Sequence, residues 1–357
     1  MESVNPKMLE IVRNFRGLTQ LQLCSLVKNL AQGSYSKMEK GLLPVPQNLL
    51  LEIAKVLEVP VSIFDYKKPI KDQAEYYYRK RLTMPRKRQV QLESTIDLLK
   101  IWIDGLLTSI EIPDFNLPSI EVTKKNTPEE IARKIRSLLR IPKGPIDKPI
   151  LLLERNGIIV HQLTDVPEKF DALTTVTESG QRVIVLNANM PNDRKRLNLF
   201  HELGHIVMHL PFSPILDESR DLEKEANRFA SEFLMPELEI RSHFNYLRFS
   251  NLGDLKLYWK VSKSALLYRA KAIGSIDSHK YTNLMIELSR SGERKVESID
   301  VNIDSPQLLQ KIYDVYLNEL GYTTDELAKS ISISIKDLNK FILNSNNVRR
   351  GLFRIEL

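Results

Sequence analysis

Apolar residues recur at helical spacing through the first 66 positions. Met8-Leu9, Ile11-Val12 and Phe15 mark one amphipathic helix, which Gly17 stops. Thr19 can cap a second helix carrying Leu21, Leu23 and Leu26-Val27. A third runs from about Gln32 to Lys40 and ends at Gly41. Beyond the Pro44 and Pro46 turn, Leu49-Leu50-Leu51, Ile53-Ala54 and Val56-Leu57 predict a fourth. Short helices joined by tight turns suit a helix-turn-helix module.

The pattern changes at residue 67. Lys67, Lys68, Lys71, Arg79, Lys80, Arg81, Arg86, Lys87 and Arg88 crowd together with Tyr76-Tyr77-Tyr78 among them. Such a run reads as a solvated linker, or as an arm that contacts phosphates beside a DNA-binding module. A helical stretch follows, with Ile96, Leu98-Leu99, Ile101-Trp102 and Leu106-Leu107, and then a connection punctuated by Pro113 and Pro118.

Near residue 120 a new unit starts. Thr127-Pro128-Glu129-Glu130 combines a cap, a first-turn proline and a capping-box glutamate. Its helix should bury Ile131, Ile135 and Leu138-Leu139. Leu151 to Arg155 predicts another helix, ended by Gly157. Ile158-Ile159-Val160 and Arg182 to Leu186 read as strands, with Ser179-Gly180 as a hairpin turn. A helix from about Arg194 to Leu210 comes next, stopped by Pro211. After Pro236 the chain is helical again over Asp254 to Trp259, Ser262 to Ile273 and His279 to Ser289. In the C-terminal part, Gly321-Tyr322-Thr323-Thr324-Asp325-Glu326 opens a small helical cap or a second helix-turn-helix-like unit. The expected fold class is multidomain α+β. It comprises an all-α bundle at 1–66, a basic and helical linker at 67–119, an α+β domain with a small sheet at 120–245, and a helical region at 246–357.

The 357 residues are too many for one ordinary core, and 42% hydrophobic with 27% charged residues fits a soluble chain. There is no membrane-length apolar run and no apolar stretch of a signal peptide at the start. The single Cys24 forms no internal disulfide and excludes a cysteine-based zinc site. A cytoplasmic protein is expected, with no membrane partner. The net charge of +7 permits a nucleic-acid partner without requiring one.

The candidate chemistry lies in Phe200-His201-Glu202-Leu203-Gly204-His205, an H-E-x-x-H pattern inside a predicted helix. Four residues are about one helical turn, so His201 and His205 share a face and can bind one metal ion. Glu202 can then take a proton from water at the open position. Met208 and Pro211 stand where a metzincin would need glycine and histidine. His209 shares the face, but one straight helix cannot wrap three ligands around an ion; it reads as a supporting or packing residue.

A third ligand is sought in the helix around Leu222-Glu223-Lys224-Glu225-Ala226-Asn227. Its apolar stripe is Leu222, Ala226, Phe229, Ala230 and Phe233. At ~100° per residue Glu223 falls ~50° from the stripe's centre and Glu225 ~110° away on the other side. Glu223, turned towards the core, is the preferred ligand, with Glu225 pointing to water as the fallback. Asn227, one turn after Glu223, is a candidate partner of the ligands. Zn2+ is the metal that this donor set favours. The strand around Val183-Ile184-Val185, if it lies at a sheet edge, could pair with an extended peptide. Arg194, Arg196 and His209 are candidates for stabilising the transition state.

These residues also carry a resemblance. Arg194-x-Arg196, His201-Glu202-Leu203-Gly204-His205, His209 and Glu223-x-x-Ala226-Asn227-x-Phe229-Ala230-x-x-Phe233-Leu234-Met235-Pro236 closely resemble the ImmA/IrrE family of zinc metallopeptidases. The resemblance continues through Trp259-x-Val261-Ser262-x-x-Ala265-Leu266-x-x-Arg269-Ala270 and spans roughly 120–295. It implies a zincin-like fold, His, His and Glu ligands, the motif glutamate as general base, and cleavage of a partner repressor that controls a mobile element or stress response. The N-terminal Gly17-Leu18-Thr19-Gln20-x-x-Leu23 with Gln32 to Gly41 resembles XRE-type helix-turn-helix domains. That implies major-groove contacts to double-stranded DNA by Gln32, Ser34 and Lys37, and a homodimer as a candidate assembly. Leu23 to Glu39 is one residue longer than usual, the turn lacks its customary glycine, and Gly33 removes a side chain from the reading helix. The alternative is a DNA-binding regulator whose metallopeptidase-like part serves as a sensor or docking surface without significant proteolysis.

Overall fold

A computed structural model describes residues 4–67, 85–210, 220–294 and 296–343. The central basic and tyrosine-rich run, from Lys68 to Arg81, lies outside the described residues, as does Pro211. No described helix is long and apolar enough to cross a membrane.

Four short helices open the chain: α1 (Pro6–Phe15), α2 (Gln20–Leu26), α3 (Gln32–Glu39) and α4 (Gln47–Val56). Their ends follow local chemistry. Thr19 forms a reciprocal capping box with Gln22, and Gly17 leaves α1 in the left-handed region at φ 67°. Asn29 takes φ 57° in the α2–α3 turn, doing the work of the missing glycine. Of the apolar residues that α2 and its end carry, Leu21 and Leu26 are exposed, and Leu23 and Val27 are buried.

The long α5 (Arg86–Leu106) begins ten residues before the expected apolar stretch, so Arg86, Lys87 and Arg88 form its first turn. Then come α6 (Pro128–Leu138), with the expected Thr127–Glu130 capping box, and α7 (Pro149–Glu154). Among the described residues there are three strands, β1 (Ile158–Leu163), β2 (Ala172–Val176) and β3 (Arg182–Asn187). Helices α8 (Asn192–Met208), α9 (Leu222–Leu234), α10 (Glu237–Ile240), α11 (Leu252–Trp259), α12 (Lys263–Ala272) and α13 (Ser278–Arg290) follow, and α14 (Leu308–Asn318) and α15 (Thr324–Ser330) lie towards the end.

The sheet order is β1-β3-β2, with β1 parallel and β2 antiparallel to β3. The strand around Val183-Ile184-Val185 is central, so the edge position that its pairing with a peptide required is not met; β2, which the sequence pattern did not reveal, is an edge. The Ser179-Gly180 turn does join a hairpin, with β2 as the partner strand.

Strand alternation makes the sheet a wall between two cores. Val160, Ile184 and Leu186 face a core built from α6 to α9 and the helices up to α13. Ile159, Val183 and Val185 face the other, which continues through α5 into the N-terminal bundle and the C-terminal helices. Gly157 lets the chain enter β1: at φ 73°, a Cβ there would lie 2.5 Å from the Pro113 carbonyl oxygen.

Candidate metal centre

Helix α8 is buried along nearly its whole length. Leu199, Phe200, Leu203, Ile206 and Val207 supply its apolar sides. The remaining face carries His201, Glu202 and His205, all under 6% exposed. α9 crosses directly over this face. Gly204 permits the close approach, since a Cβ there would sit 3.2 Å from Phe229 Cδ1 and 3.4 Å from Ala226 Cα.

The crossing brings the first turn of α9 to the imidazole pair. Nε2 of His201 and Nε2 of His205 lie 3.0 Å apart. Glu223 reaches both, with Oε2 at 3.4 Å from His201 Nε2 and Oε1 at 3.5 Å from His205 Nε2. One ligand atom from each of the three residues lies within 4.8 Å of the others. Tetrahedral zinc with Zn–N of about 2.0–2.1 Å separates two nitrogens by about 3.3 Å, so the spacing fits that ion.

The far side of each imidazole is also engaged. Nδ1 of His201 lies 3.0 Å from Oδ1 of Asn227, and Nδ1 of His205 lies 2.9 Å from Nδ1 of His209. An amide oxygen accepts, so His201 carries its proton on Nδ1 and offers a bare Nε2 to a cation. Burial pushes His205 down to about 3 and also lowers His209, which keeps both rings neutral at pH 7. Burial alone would raise Glu223, but the adjoining His201 and His205 rings outweigh it and hold the carboxyl below its usual range. Neutral imidazoles and an ionised carboxylate are what a divalent metal requires.

Glu225 corrects an expectation. It does not point to water: its side chain is 15% exposed against 36% for Glu223. Its Oε2 lies 3.0 Å from His209 Nε2, and Arg220 donates to both carboxylate oxygens, at 3.1 and 2.6 Å. Burial works to raise it, but the bonds from His209 and Arg220 prevail and bring it to about 2. The helical wheel misplaced Glu225 because it knows nothing of partners on other segments.

Glu202 has a partner that sequence reasoning missed. Thr174 Oγ1 donates to Glu202 Oε2 at 2.8 Å. Thr174 pairs with Ile184 in register and so shares the sheet face turned towards α8. The available signal was the Leu173-Thr174-Thr175-Val176 stretch, since a hairpin turn at Ser179-Gly180 needs a strand before it. The two arginines turn elsewhere. Arg194 donates to Asp171 at 2.7 Å. Arg196, completely buried, bonds the Ile146 and Asn302 carbonyls and ties α8 to two loops.

The far end of α9 is fixed by ion pairs. Fully buried Glu232 accepts from Arg133 at 3.0 Å and from Arg269, while Arg269 Nε also donates to the Met235 carbonyl at 3.0 Å. This holds the helix that delivers Glu223; of these residues the sequence motifs included Arg269 but not Glu232 or Arg133. In the N-terminal bundle, Gln32 and Lys37 are exposed on α3 and Ser34 is half-buried. Gln32 Nε2 donates to Gln20 Oε1 at 2.7 Å.

No curated protein matches the chain. Residues 154–271, about a third of the chain, match the family model Peptidase_M78, described as the IrrE N-terminal-like domain; the match supports the ImmA/IrrE resemblance and runs from the end of α7 to the end of α12, taking in the whole imidazole–carboxylate cluster.

Proposed function

We propose that the protein is a zinc-dependent endopeptidase whose target is a partner transcriptional repressor. One observation carries this reading: His201, His205 and Glu223 converge beside Glu202, inside a segment that matches a peptidase family. The three residues would hold the ion through two nitrogens and a carboxylate oxygen, leaving a position open. Bound zinc supplies Lewis acidity towards water and a peptide carbonyl. Glu202 takes the proton of the attacking water and returns it to the leaving amine. Thr174 donates to Oε2 of Glu202 and so fixes the orientation of that carboxylate. The edge strand β2, next to Glu202, offers backbone groups to an extended substrate peptide in place of β3.

The test uses purified protein, its zinc content, and repressors encoded beside its own gene. Stoichiometric zinc and cleavage of one repressor are expected, with cleavage slowed about 10²–10⁴-fold in Glu202→Gln while zinc is retained. Equal cleavage by Glu202→Gln would end the mechanism.

Exposure of Gln32 and Lys37 on α3 favours a second role, binding of double-stranded DNA. In that reading the peptidase-like part serves as a sensor or docking surface. Zinc binding without cleavage of any neighbouring repressor, together with operator binding abolished by Gln32→Ala, would select it.

A further inference from the structure

His209 stands at the end of α8, fully buried, one turn beyond His205. Its two nitrogens point at different partners. Nδ1 is 2.9 Å from Nδ1 of His205, and Nε2 is 3.0 Å from Oε2 of Glu225. Glu225 in turn is clamped by both Nε and Nη2 of Arg220.

With His205 and His209 neutral, these contacts select one tautomer of each ring. A carboxylate only accepts, so His209 donates through Nε2–H. A neutral imidazole has one donor and one acceptor, so Nδ1 of His209 accepts. The donor facing it is therefore Nδ1–H of His205. That leaves Nε2 of His205 bare, on the side facing His201 and Glu223. Asn227 achieves the same end for His201 with a single amide oxygen.

We propose that His209 is a positioning residue for the metal centre: it fixes the tautomer and ring plane of His205, while Glu225 and Arg220 fix His209. This rests on the metal-site reading of His201, His205 and Glu223. The two glutamates near the start of α9 then have separate tasks. Glu223 faces the imidazole pair, and Glu225 closes the relay behind it. A carboxylate behind a ligating imidazole raises its basicity and restricts its rotation. Here a second imidazole extends that connection by one residue.

The test measures zinc affinity, which needs no substrate. Wild type, His209→Phe and His209→Asn are titrated with zinc against a chromophoric chelator, and the metal-free melting temperature of each is recorded. Phenylalanine keeps a ring and removes both nitrogens. Asparagine places an amide oxygen near the position of the lost Nδ1, so it restores the acceptor to His205 but cuts the link to Glu225. The expected result is a loss of about 10–100-fold in His209→Phe and a clearly smaller loss in His209→Asn. A folded His209→Phe that binds zinc as tightly as wild type overturns the proposal. Equal losses in the two variants also overturn it, because packing alone would then account for them. If His209→Phe does not fold, Glu225→Leu cuts the relay at its partly exposed end; a several-fold loss is expected, and unchanged affinity overturns the proposal. Wild-type protein that binds no zinc fails earlier and separately, and removes the metal-site reading itself.

Discussion

Thr174 shows how one hydroxyl constrains a reactive group. Its bond to Glu202 Oε2 removes one of two equivalent oxygens from play. A hydrogen bond to a charged group contributes about 1.5–3 kcal/mol, so Thr174→Val should slow repressor cleavage about 10–100-fold. Zinc affinity should be unchanged, and Thr174→Ser should recover most of the rate. A drop in zinc content alongside the rate would assign Thr174 to the fold instead. On the opposite sheet face His161 is 1% exposed, and burial pushes its ring down to about 4 from an ordinary 6.5. The neutral ring is favoured in the fold, so this contribution to stability is fully present above pH 6.5. It is lost as pH falls from 6.5 towards 4, where the unfolded chain binds the extra proton. The loss is on the order of 3 kcal/mol. Melting curves across that window should show the drop, and His161→Leu should flatten it. An unchanged slope in His161→Leu would move the acid sensitivity to another group.

The close crossing of α8 and α9 decides where Glu223 stands. Gly204→Val adds three carbons where even a Cβ meets Phe229 and the Ala226 backbone. The helices must separate, at a cost of about 1–3 kcal/mol, and Glu223 moves away from the imidazoles. Zinc affinity should fall together with the melting temperature. Gly204→Ala should be milder, because alanine gains about 1 kcal/mol of helix propensity that offsets part of the crowding. Retained affinity in a folded Gly204→Val would show that the crossing does not set the site. Features that depend on residues close in sequence were legible: the Thr127–Glu130 capping box, the Gly17 stop, the shared face of His201 and His205, and the edge position of Glu223. What depended on contacts between segments was not. β2 places Thr174 on a core-facing row where an apolar residue is the usual signal, so its alternation was obscured. Arg86 to Arg88 read as linker because their charges sit on the outer turn of a helix whose apolar pattern starts later. Glu225 read as solvent-facing because His209 and Arg220 lie outside its helix.

The sheet couples the two cores, and the ends of the chain close one of them. Phe15 from α1, Trp102 from α5 and Phe341 near the C-terminus pack as a trio, with ring centroids 5.4–5.9 Å apart. Beside them Arg16 donates to both oxygens of Asp337, at 2.9 and 2.7 Å, and to the Leu57 and Glu58 carbonyls. The Asp337 side chain is 2% exposed and that of Arg16 is 19% exposed. Removing one partner of a fully buried ion pair costs about 3–5 kcal/mol, and the partial exposure of Arg16 lowers the expected cost of Asp337→Ala to about 2–3 kcal/mol. The two tryptophans report the outcome separately, because Trp102 lies in the core shared by both chain ends and Trp259 in the core that holds the metal-site helices. β1 and β3 give one face to each core, so loss of the first core strips half the burial from the strands that support the second. Asp337→Ala should therefore shift the denaturant midpoint seen by Trp102, measured in a Trp259→Phe background, and shift that seen by Trp259 in the reciprocal background by a similar amount. A shift confined to Trp102 would mean that the metal-site half is stable without its neighbour, and that signals from the N-terminal bundle cannot reach Glu202 by way of the sheet.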